Sequence, residues 1–219
     1  MNRWKYSVLA DRYPIKSLPI VISFTISILD KKNLSLSFFI MVAEKTVLLE
    51  SSRLILHPLT LSQLQLYKES DNQLEIELGL PAAEKKLSSD FYDVIVNTNI
   101  PFLTRFPELM LWGTLWMIIE KGLNRIIGDI GFKGAPTESG LIEVGYTLYA
   151  EYRQKGYMSE ALQLLCDWAL SDEQVRIIVA ETNKLNIASQ RTLNKVHFKA
   201  FAETDTDYWW RLDKDLNEE

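Results

Sequence analysis

The residues that most constrain this chain form a strand, a basic turn and a helix in direct succession between positions 143 and 162. An apolar, extended run at residues 144–148 leads into the turn Arg153-Gln154-Lys155-Gly156, which opens into a helix. The first backbone N–H groups of a helix have no partners within it, and the helix dipole favours negative charge at that end. Arg153 and Lys155 add cationic donors beside these amides. The unit therefore predicts a site for a ligand that carries a pyrophosphate.

The bulk composition is that of a globular protein. The chain has 219 residues, of which 47% are hydrophobic and 24% charged, enough for one domain with a substantial core. A net charge of -5 argues against nucleic acid as the partner, because binding to phosphate backbones relies on a basic surface. The single cysteine, Cys166, lies in an apolar run. We expect it to be a buried helix residue and not a nucleophile, in a reducing, cytoplasmic setting.

The first 45 residues differ in pattern from the rest. Residues 18–29 form an apolar run that is too short for a membrane-spanning helix of about 20 residues, and no small-residue cleavage site of a secretory signal follows it. We therefore expect no membrane anchor and interpret residues 1–45 as an N-terminal extension of uncertain order, with Met41 as an alternative translation start. Residues 46–215 form the predicted functional domain.

Beyond residue 46 the chain alternates between strand-like and helix-like patterns. Pro58 ends an extended run, and Thr60 is a typical N-cap for the helix that follows. Further predicted helices are residues 90–97, 159–170 and 186–195, and the predicted strands are residues 47–49, 53–56, 111–119, 126–132, 141–148, 176–181, 200–202 and 208–212. This order predicts a mixed sheet with helices on its faces.

Three short motifs follow one another in this domain. They are Glu143-Val-Gly-Tyr146, the turn Arg153-Gln-Lys-Gly156, and Asn186-Ile-Ala-Ser189 followed by Lys195-Val-His-Phe198. Spaced by one helix and one strand, they resemble the GCN5-related N-acetyltransferase (GNAT) family, and within it the branch of ribosomal-protein N-terminal acetyltransferases. The resemblance spans residues 49–212.

Two residues depart from the family's motifs. Met158 stands where the family has a small residue, and we expect it to narrow the approach of a phosphate to the turn. His197 stands in place of a glycine, and histidine tolerates a positive φ there at some energetic cost.

The resemblance implies an α/β fold of the GNAT type, with a mixed, mostly antiparallel central sheet and helices on both faces. It also implies acetyl-coenzyme A as the co-substrate and no metal. The pyrophosphate would bind the turn, and the pantetheine arm would run along the central strand, whose ladder must be interrupted to free its backbone groups. The coenzyme-contacting residues that it implies are Tyr146, Thr147, Leu148, Arg153, Gln154, Lys155, Gly156, Tyr157, Met158, Ser159 and Asn186.

Acetyl transfer to an amine needs a base for the ammonium proton and an acid for the leaving thiolate. Glu181, at a strand end, resembles the base of some ribosomal-protein acetyltransferases; the alternative is a solvated carboxylate. Glu143 on the central strand is a second candidate for the base. Leu193 replaces the tyrosine that serves as the acid in many family members. Ser189 is therefore expected to supply the proton, unless it only bonds nearby backbone.

The sequence constrains the acceptor only loosely. An acidic loop before the last strand could attract a cationic amine or be merely solvated; it contains Glu203, Asp205 and Asp207. Most aromatic residues predicted on strands are expected to pack the core, and some could wall an amine pocket; they are Trp112, Trp116, Tyr208, Trp209 and Trp210.

The leading hypothesis is an N-acetyltransferase that acts by direct transfer in a ternary complex, as a monomer or a homodimer. Its acceptor would be a small-molecule amine or the N-terminus of a peptide or protein. A non-catalytic acyl-coenzyme-A sensor is one alternative, motivated by Leu193. An interaction protein whose turn binds no nucleotide is another.

Overall fold

A computed structural model describes residues 47–69, 72–82 and 88–214, and these residues belong to one compact unit. The predicted extension at residues 1–45 lies outside these ranges. The strands are β1 (Leu49–Glu50), β2 (Leu54–Pro58), β3 (Trp116–Glu120), β4 (Arg125–Phe132), β5 (Leu141–Leu148), β6 (Ile177–Asn183), β7 (Lys199–Glu203) and β8 (Asp207–Asp213). The helices are α1 (Leu61–Lys68), α2 (Gln73–Glu77), α3 (Ser89–Val94), α4 (Ile100–Arg105), α5 (Met110–Gly113), α6 (Tyr157–Ser171) and α7 (Ile187–Lys195).

The eight strands form one sheet in the order β1-β2-β3-β4-β5-β6-β8-β7. Every neighbouring pair is antiparallel except β5 and β6, which are parallel. Their pairing covers only three positions, from Leu141 opposite Ile177 to Glu143 opposite Val179. Both strands continue well past this point, β5 on the side of β4 and β6 on the side of β8. A gap therefore opens in the middle of the sheet, and the predicted mixed, mostly antiparallel sheet is confirmed.

A hydrophobic core lies on each face of the sheet. Along β3, Trp116 and Ile118 belong to the first core, whereas Met117 and Ile119 belong to the second, as the alternation of a strand requires. Residues of α6 and α7 fill the first core, together with the buried Cys166; residues of α1, α2 and α4 fill the second core. Helices thus cover both faces, as the resemblance implied.

The residues at helix ends explain where several helices begin and end. Helix α1 starts at the predicted N-cap Thr60, whose hydroxyl accepts from the Gln63 N–H at 3.2 Å while the Gln63 side chain accepts from the Thr60 N–H at 3.0 Å. After α7, His197 has φ 63°, so this position does adopt the left-handed conformation for which the family has glycine. Met158 is 7% exposed and packs in the first core. Its side chain therefore does not narrow the turn, contrary to expectation.

The prediction of one strand over residues 111–119 is wrong in its first half. Residues Met110–Gly113 form α5, and β3 begins only at Trp116. Gly113 lies so close to Phe102 that a Cβ atom on it would come within 2.1 Å of the Phe102 ring. The indole N–H of Trp116 donates to the Leu111 carbonyl at 3.1 Å. These contacts turn the chain before the strand begins, and tertiary packing of this kind outweighs β propensity.

Candidate active site

The gap between β5 and β6 leaves one edge of β5 without a strand partner over its second half. Lys133 N–H donates to the Glu143 carbonyl, and Tyr149 N–H donates to the Ile127 carbonyl, each at 2.9 Å. Odd-numbered residues of this stretch therefore bond toward β4, because backbone groups of successive residues point to opposite sides. The N–H and C=O groups of Tyr146 and its even-numbered neighbours face the gap. This is the interrupted ladder that a pantetheine arm needs.

Three predicted coenzyme residues lie at the end of this strand. The backbone groups of Tyr146 and Leu148 face the gap. Those of Thr147 point to β4, where Asp129 is its partner. Arg153 reaches back from the turn, and its Nε donates to the Leu148 carbonyl at 3.0 Å. The turn is thereby fixed to the end of β5.

The turn itself is shaped to present N–H groups. Gln154 has φ 63° and Gly156 has φ 78°, and left-handed residues that alternate with other conformations make a concave arrangement of amides that binds anions. Helix α6 begins at Tyr157, without a side-chain cap on its amides. The first-turn N–H groups of α6, at residues 157–159, are free of intrahelical partners. Together these amides line the turn at which the sequence predicts a phosphate.

Two cationic side chains, Arg53 and Lys195, flank the turn, although the sequence motifs did not place them there. A Cβ atom on Gly156 would lie 3.6 Å from Arg53 Nη2 and 3.9 Å from Lys195 Nζ. Arg53 also donates through Nη1 to the Lys155 carbonyl at 3.1 Å and lies over the Tyr157 ring, 4.7 Å from its centroid. Because Arg53 is about a hundred residues distant in sequence, no local pattern connects it with the turn.

Glu160, in the first turn of α6, holds Arg53 in place. Arg53 Nε donates to its carboxylate at 2.7 Å, and the Ser51 hydroxyl donates to it at 2.6 Å. Partial burial raises the pKa of Glu160, but the hydrogen bonds from Ser51 and Arg53 outweigh it and leave the pKa below its ordinary value. The loop between β1 and β2 is thus fastened to the start of α6.

Two carboxylates lie beside the gap on the face of the second core. Glu143 is opposite Val179, and Glu181 follows two residues later on the same face. Lys133 of β4 forms an ion pair with Glu143. Partial burial raises the pKa of Glu181 above its ordinary value of 4.5, Lys133 lowers it, and the charges of Asp207 and Glu143 raise it further. The structure therefore brings both predicted base candidates to one face.

Two hydroxyl groups meet on the opposite face of the gap. The Tyr146 hydroxyl lies 2.8 Å from Ser189 Oγ, and burial raises the pKa of Tyr146 to about 12, against the opposing effect of the Ser189 hydrogen bond. Asn186 caps α7 by accepting from the Ser189 N–H at 3.1 Å. Leu193 is fully buried in the first core. The Ser189 hydroxyl thus bonds a tyrosine from the central strand, which the sequence motifs did not indicate.

Comparison with known proteins decides the family. The sequence profile described as "Acetyltransferase (GNAT) domain" matches residues 53–199, well over half of the chain. The chain belongs to the GNAT acetyltransferase family. It is 37% identical over 158 residues to the uncharacterized N-acetyltransferase YjdG of Bacillus subtilis (strain 168), an alignment that covers 69% of this chain and 89% of that protein.

Solved structures of GNAT proteins share the fold. A ribosomal-protein-S5-alanine acetyltransferase from Vibrio fischeri has a TM-score of 0.58 and 18% identity, covering 77% of this chain and 97% of that one. RimL, a ribosomal L7/L12 alpha-N-protein acetyltransferase solved with coenzyme A, has a TM-score of 0.56 and 15% identity, covering 76% and 98%. Both likenesses support the fold expected from the motifs.

Several other residues singled out in the sequence are buried or paired in this GNAT domain. Trp116 and Trp210 are buried, and the Trp210 indole N–H donates to the Thr182 hydroxyl at 2.9 Å. Glu203 pairs with Lys184 at 3.0 Å. In the described part of the chain, no group of three or more histidine, cysteine, aspartate or glutamate residues could hold a metal ion. No helix in the same part is long and apolar enough to cross a membrane.

Proposed function

We propose that this protein is an acetyl-coenzyme-A-dependent N-acetyltransferase that moves the acetyl group directly to a primary amine in a ternary complex. Acetyl-coenzyme A is the donor of the family. The main support for this proposal is the gap between β5 and β6, because it begins at the phosphate turn and is open to both faces of the sheet. Glu181 lies on one of these faces, and the Tyr146–Ser189 hydroxyl pair lies on the other.

The donor would enter the gap from the side of the turn. Its pyrophosphate binds the amides of residues 153–159, with Arg53 and Lys195 adding positive charge beside Gly156. Its pantetheine arm bonds the backbone groups of Tyr146 and the N–H of Leu148, which face the gap; the Leu148 carbonyl accepts from Arg153. An N–H group of this same edge stabilises the negative charge that develops on the acetyl oxygen during attack. Asn186 orders the start of α7 beside the arm.

The acceptor amine would approach on the face of the second core. Glu181 takes the proton of the ammonium, directly or through a water molecule, and the raised pKa of its carboxyl group makes it a better base than an ordinary glutamate. The neutral nitrogen then attacks the acetyl carbon. Glu143, which is paired with Lys133, raises the pKa of Glu181 through its charge. It is also the second candidate for the base.

Breaking the carbon–sulfur bond releases a thiolate that needs a proton. Ser189 Oγ would give it on the face of the first core and would regain a proton from the Tyr146 hydroxyl, 2.8 Å away. Tyrosine is far more acidic than an isolated serine hydroxyl. The pair therefore supplies what Leu193 cannot, since that side chain is an aliphatic group buried in the core.

The likeness to two ribosomal-protein acetyltransferases favours the N-terminus of a protein or peptide as acceptor, with small primary amines as the other class. We assign the catalytic domain to residues 46–215. The single, buried Cys166 supports a reducing, cytoplasmic location, and the net charge of -5 speaks against nucleic acid as a partner.

A non-catalytic acyl-coenzyme-A sensor is the second candidate, since Leu193 removes the usual acid. Calorimetry with acetyl-coenzyme A, followed by thiol release with a panel of peptides and amines, separates the two. The proposal predicts binding that Arg153→Ala weakens, and turnover in the presence of at least one acceptor class. Binding without thiol release from any acceptor would establish the sensor, and absence of binding would exclude both.

A further inference from the structure

Asp129 of β4 is a buried carboxylate that the catalytic scheme does not use. Its side chain is 3% exposed. Among the residues that the structure describes, its carboxylate takes part in no hydrogen bond or ion pair. Burial raises its pKa to about 7. A buried charge without a partner is costly, and where proteins keep one it often serves a ligand.

Asp129 lies on the same face of the sheet as Glu143 and Glu181, the face of the second core. On the neighbouring strand β3, its partner is Met117, a residue of the second core. The Tyr67 and Tyr149 hydroxyls lie 3.2 Å apart, and burial and the charge of Asp129 both raise the pKa of each. Glu75 of α2, 1% exposed, adds its charge to the same two tyrosines. Asp129 and Glu75 thus form a second acidic region near α1 and α2, in addition to Glu143 and Glu181.

A row of glycines separates Asp129 from the proposed base. On this face the cross-strand pairs follow one another as Asp129 with Thr147, then Gly131 with Gly145, then Lys133 with Glu143. A Cβ atom on Gly145 would meet only Lys133 Cε, at 3.8 Å, whereas one on Gly131 would lie 2.7 Å from the Thr114 carbonyl oxygen. The row is therefore open above β5 and closed above β4. Successive rows lie roughly 7 Å apart along a strand. Glu181 lies one row along and two strands across from Asp129, so the two residues are roughly 12 Å apart.

We propose that Asp129, with the Tyr149 hydroxyl as a second ligand, binds a second positively charged group of the acceptor. The acceptor would carry one amine that reacts at Glu181 and one cation that pairs with Asp129 across the glycine row. A diaminoalkane meets this requirement, and so does a peptide whose reacting N-terminus is followed by a lysine or arginine side chain. This inference rests on the proposed function and specifies its acceptor.

Kinetics with matched acceptors test the inference. Acetyl transfer to 1,6-diaminohexane is compared with transfer to hexylamine, and a peptide with lysine at position 2 with one that has norleucine there. We expect the dicationic member of at least one pair to have a kcat/KM at least tenfold higher. Asp129→Asn removes that preference by lowering the kcat/KM of the dicationic member. A preference within the amine pair identifies a small-molecule acceptor, and a preference within the peptide pair identifies a peptide acceptor.

Controls separate this inference from the proposed function. Asp205→Asn, in the exposed loop before β8, keeps the preference, and Tyr149→Phe reduces it. Calorimetry of 1,6-diaminohexane and of the lysine peptide against the protein saturated with coenzyme A needs no turnover, and at least one of them binds the wild type and not Asp129→Asn. Turnover without a dicationic preference, or a preference and binding that survive Asp129→Asn, would overturn the inference alone. Absence of turnover with every acceptor would instead overturn the proposed function.

Discussion

The hydroxyl oxygens of Tyr146 and Ser189 lie 2.8 Å apart and join the central strand β5 to helix α7 at the edge of the gap in the sheet. Ser189 is held from its other side as well, because its N–H donates to Asn186 at the start of the helix. Leu193, at the position for which the resemblance implies a tyrosine acid, is buried. A tyrosine from another element thus brings its hydroxyl to the serine of α7.

Removing the Tyr146 hydroxyl tests whether this pair delivers the proton. We expect Tyr146→Phe to lower kcat by roughly tenfold to a hundredfold, the lower range of general-acid effects, while the dissociation constant of coenzyme A stays within about twofold. Steady-state kinetics and calorimetry measure the two quantities. Tyr92→Phe, on the exposed side of α3, is the matched control. A wild-type kcat in Tyr146→Phe would leave the hydroxyl pair without a catalytic role.

Glu181→Gln tests the base. The amide cannot accept the ammonium proton, so we expect kcat to fall about a hundredfold or more with unchanged coenzyme A affinity. In the wild type the rate should rise with pH through the pKa of Glu181, which burial places above 4.5, because only the ionised form is a base. This acidic limb should vanish in the variant. Normal turnover in Glu181→Gln would move the assignment to Glu143.

Gly156→Ala tests the geometry of the turn. An alanine at φ 78° costs about 1 to 2 kcal/mol and places a methyl group between the turn and Arg53. Gly79 has φ 67° and open space around it, so Gly79→Ala carries the same backbone cost away from the turn. Both variants should lose similar free energy of unfolding, and only Gly156→Ala should weaken coenzyme A binding. Equal affinity in the two variants would contradict the assignment of the phosphate site.

Asp129 should make the stability of the protein depend on pH. The folded protein keeps the Asp129 proton up to about pH 7, whereas the unfolded chain releases it near pH 4. The folded state therefore binds more protons in between, and the free energy of unfolding falls as pH rises from about 4 to 7. Asp129→Asn cannot ionise, so above pH 7 it should be more stable than the wild type, by up to about 4 kcal/mol. Denaturant unfolding at pH 5 and pH 8 measures this; equal differences at both pH values would be inconsistent with a buried, ionising Asp129.

The sequence predicted those parts of the fold that depend on local pattern. Strand β5 has the predicted bounds of residues 141–148, and the N-cap at Thr60 follows from side-chain chemistry within one turn. The predicted start of β3 was wrong because Phe102 packs against Gly113, a contact between elements that local pattern does not show. Periodicity identifies the faces of a strand and not the element that packs against them.

The same distinction applies to the site. The turn at Arg153 and the candidate residues Glu181 and Ser189 were predicted from motifs that lie within short stretches of chain. Arg53 beside Gly156, and the Tyr146 hydroxyl at Ser189, are contacts between distant segments. Asp129 gave no signal, because one acidic residue in an apolar strand does not show whether it will be buried. The register of the strands and the placement of the helices determine these two contacts and the burial of Asp129.

The most direct test of the account is transfer of an isotopically labelled acetyl group, followed by mass spectrometry. The protein is incubated with acetyl-coenzyme A labelled in the acetyl group and with a mixture of peptides and small amines. Direct transfer in a ternary complex predicts a labelled acetyl group on an amine nitrogen of at least one acceptor, and an unmodified protein before and after turnover. A labelled acetyl group on the protein as an intermediate, or the absence of label from every acceptor while acetyl-coenzyme A is bound, would contradict it.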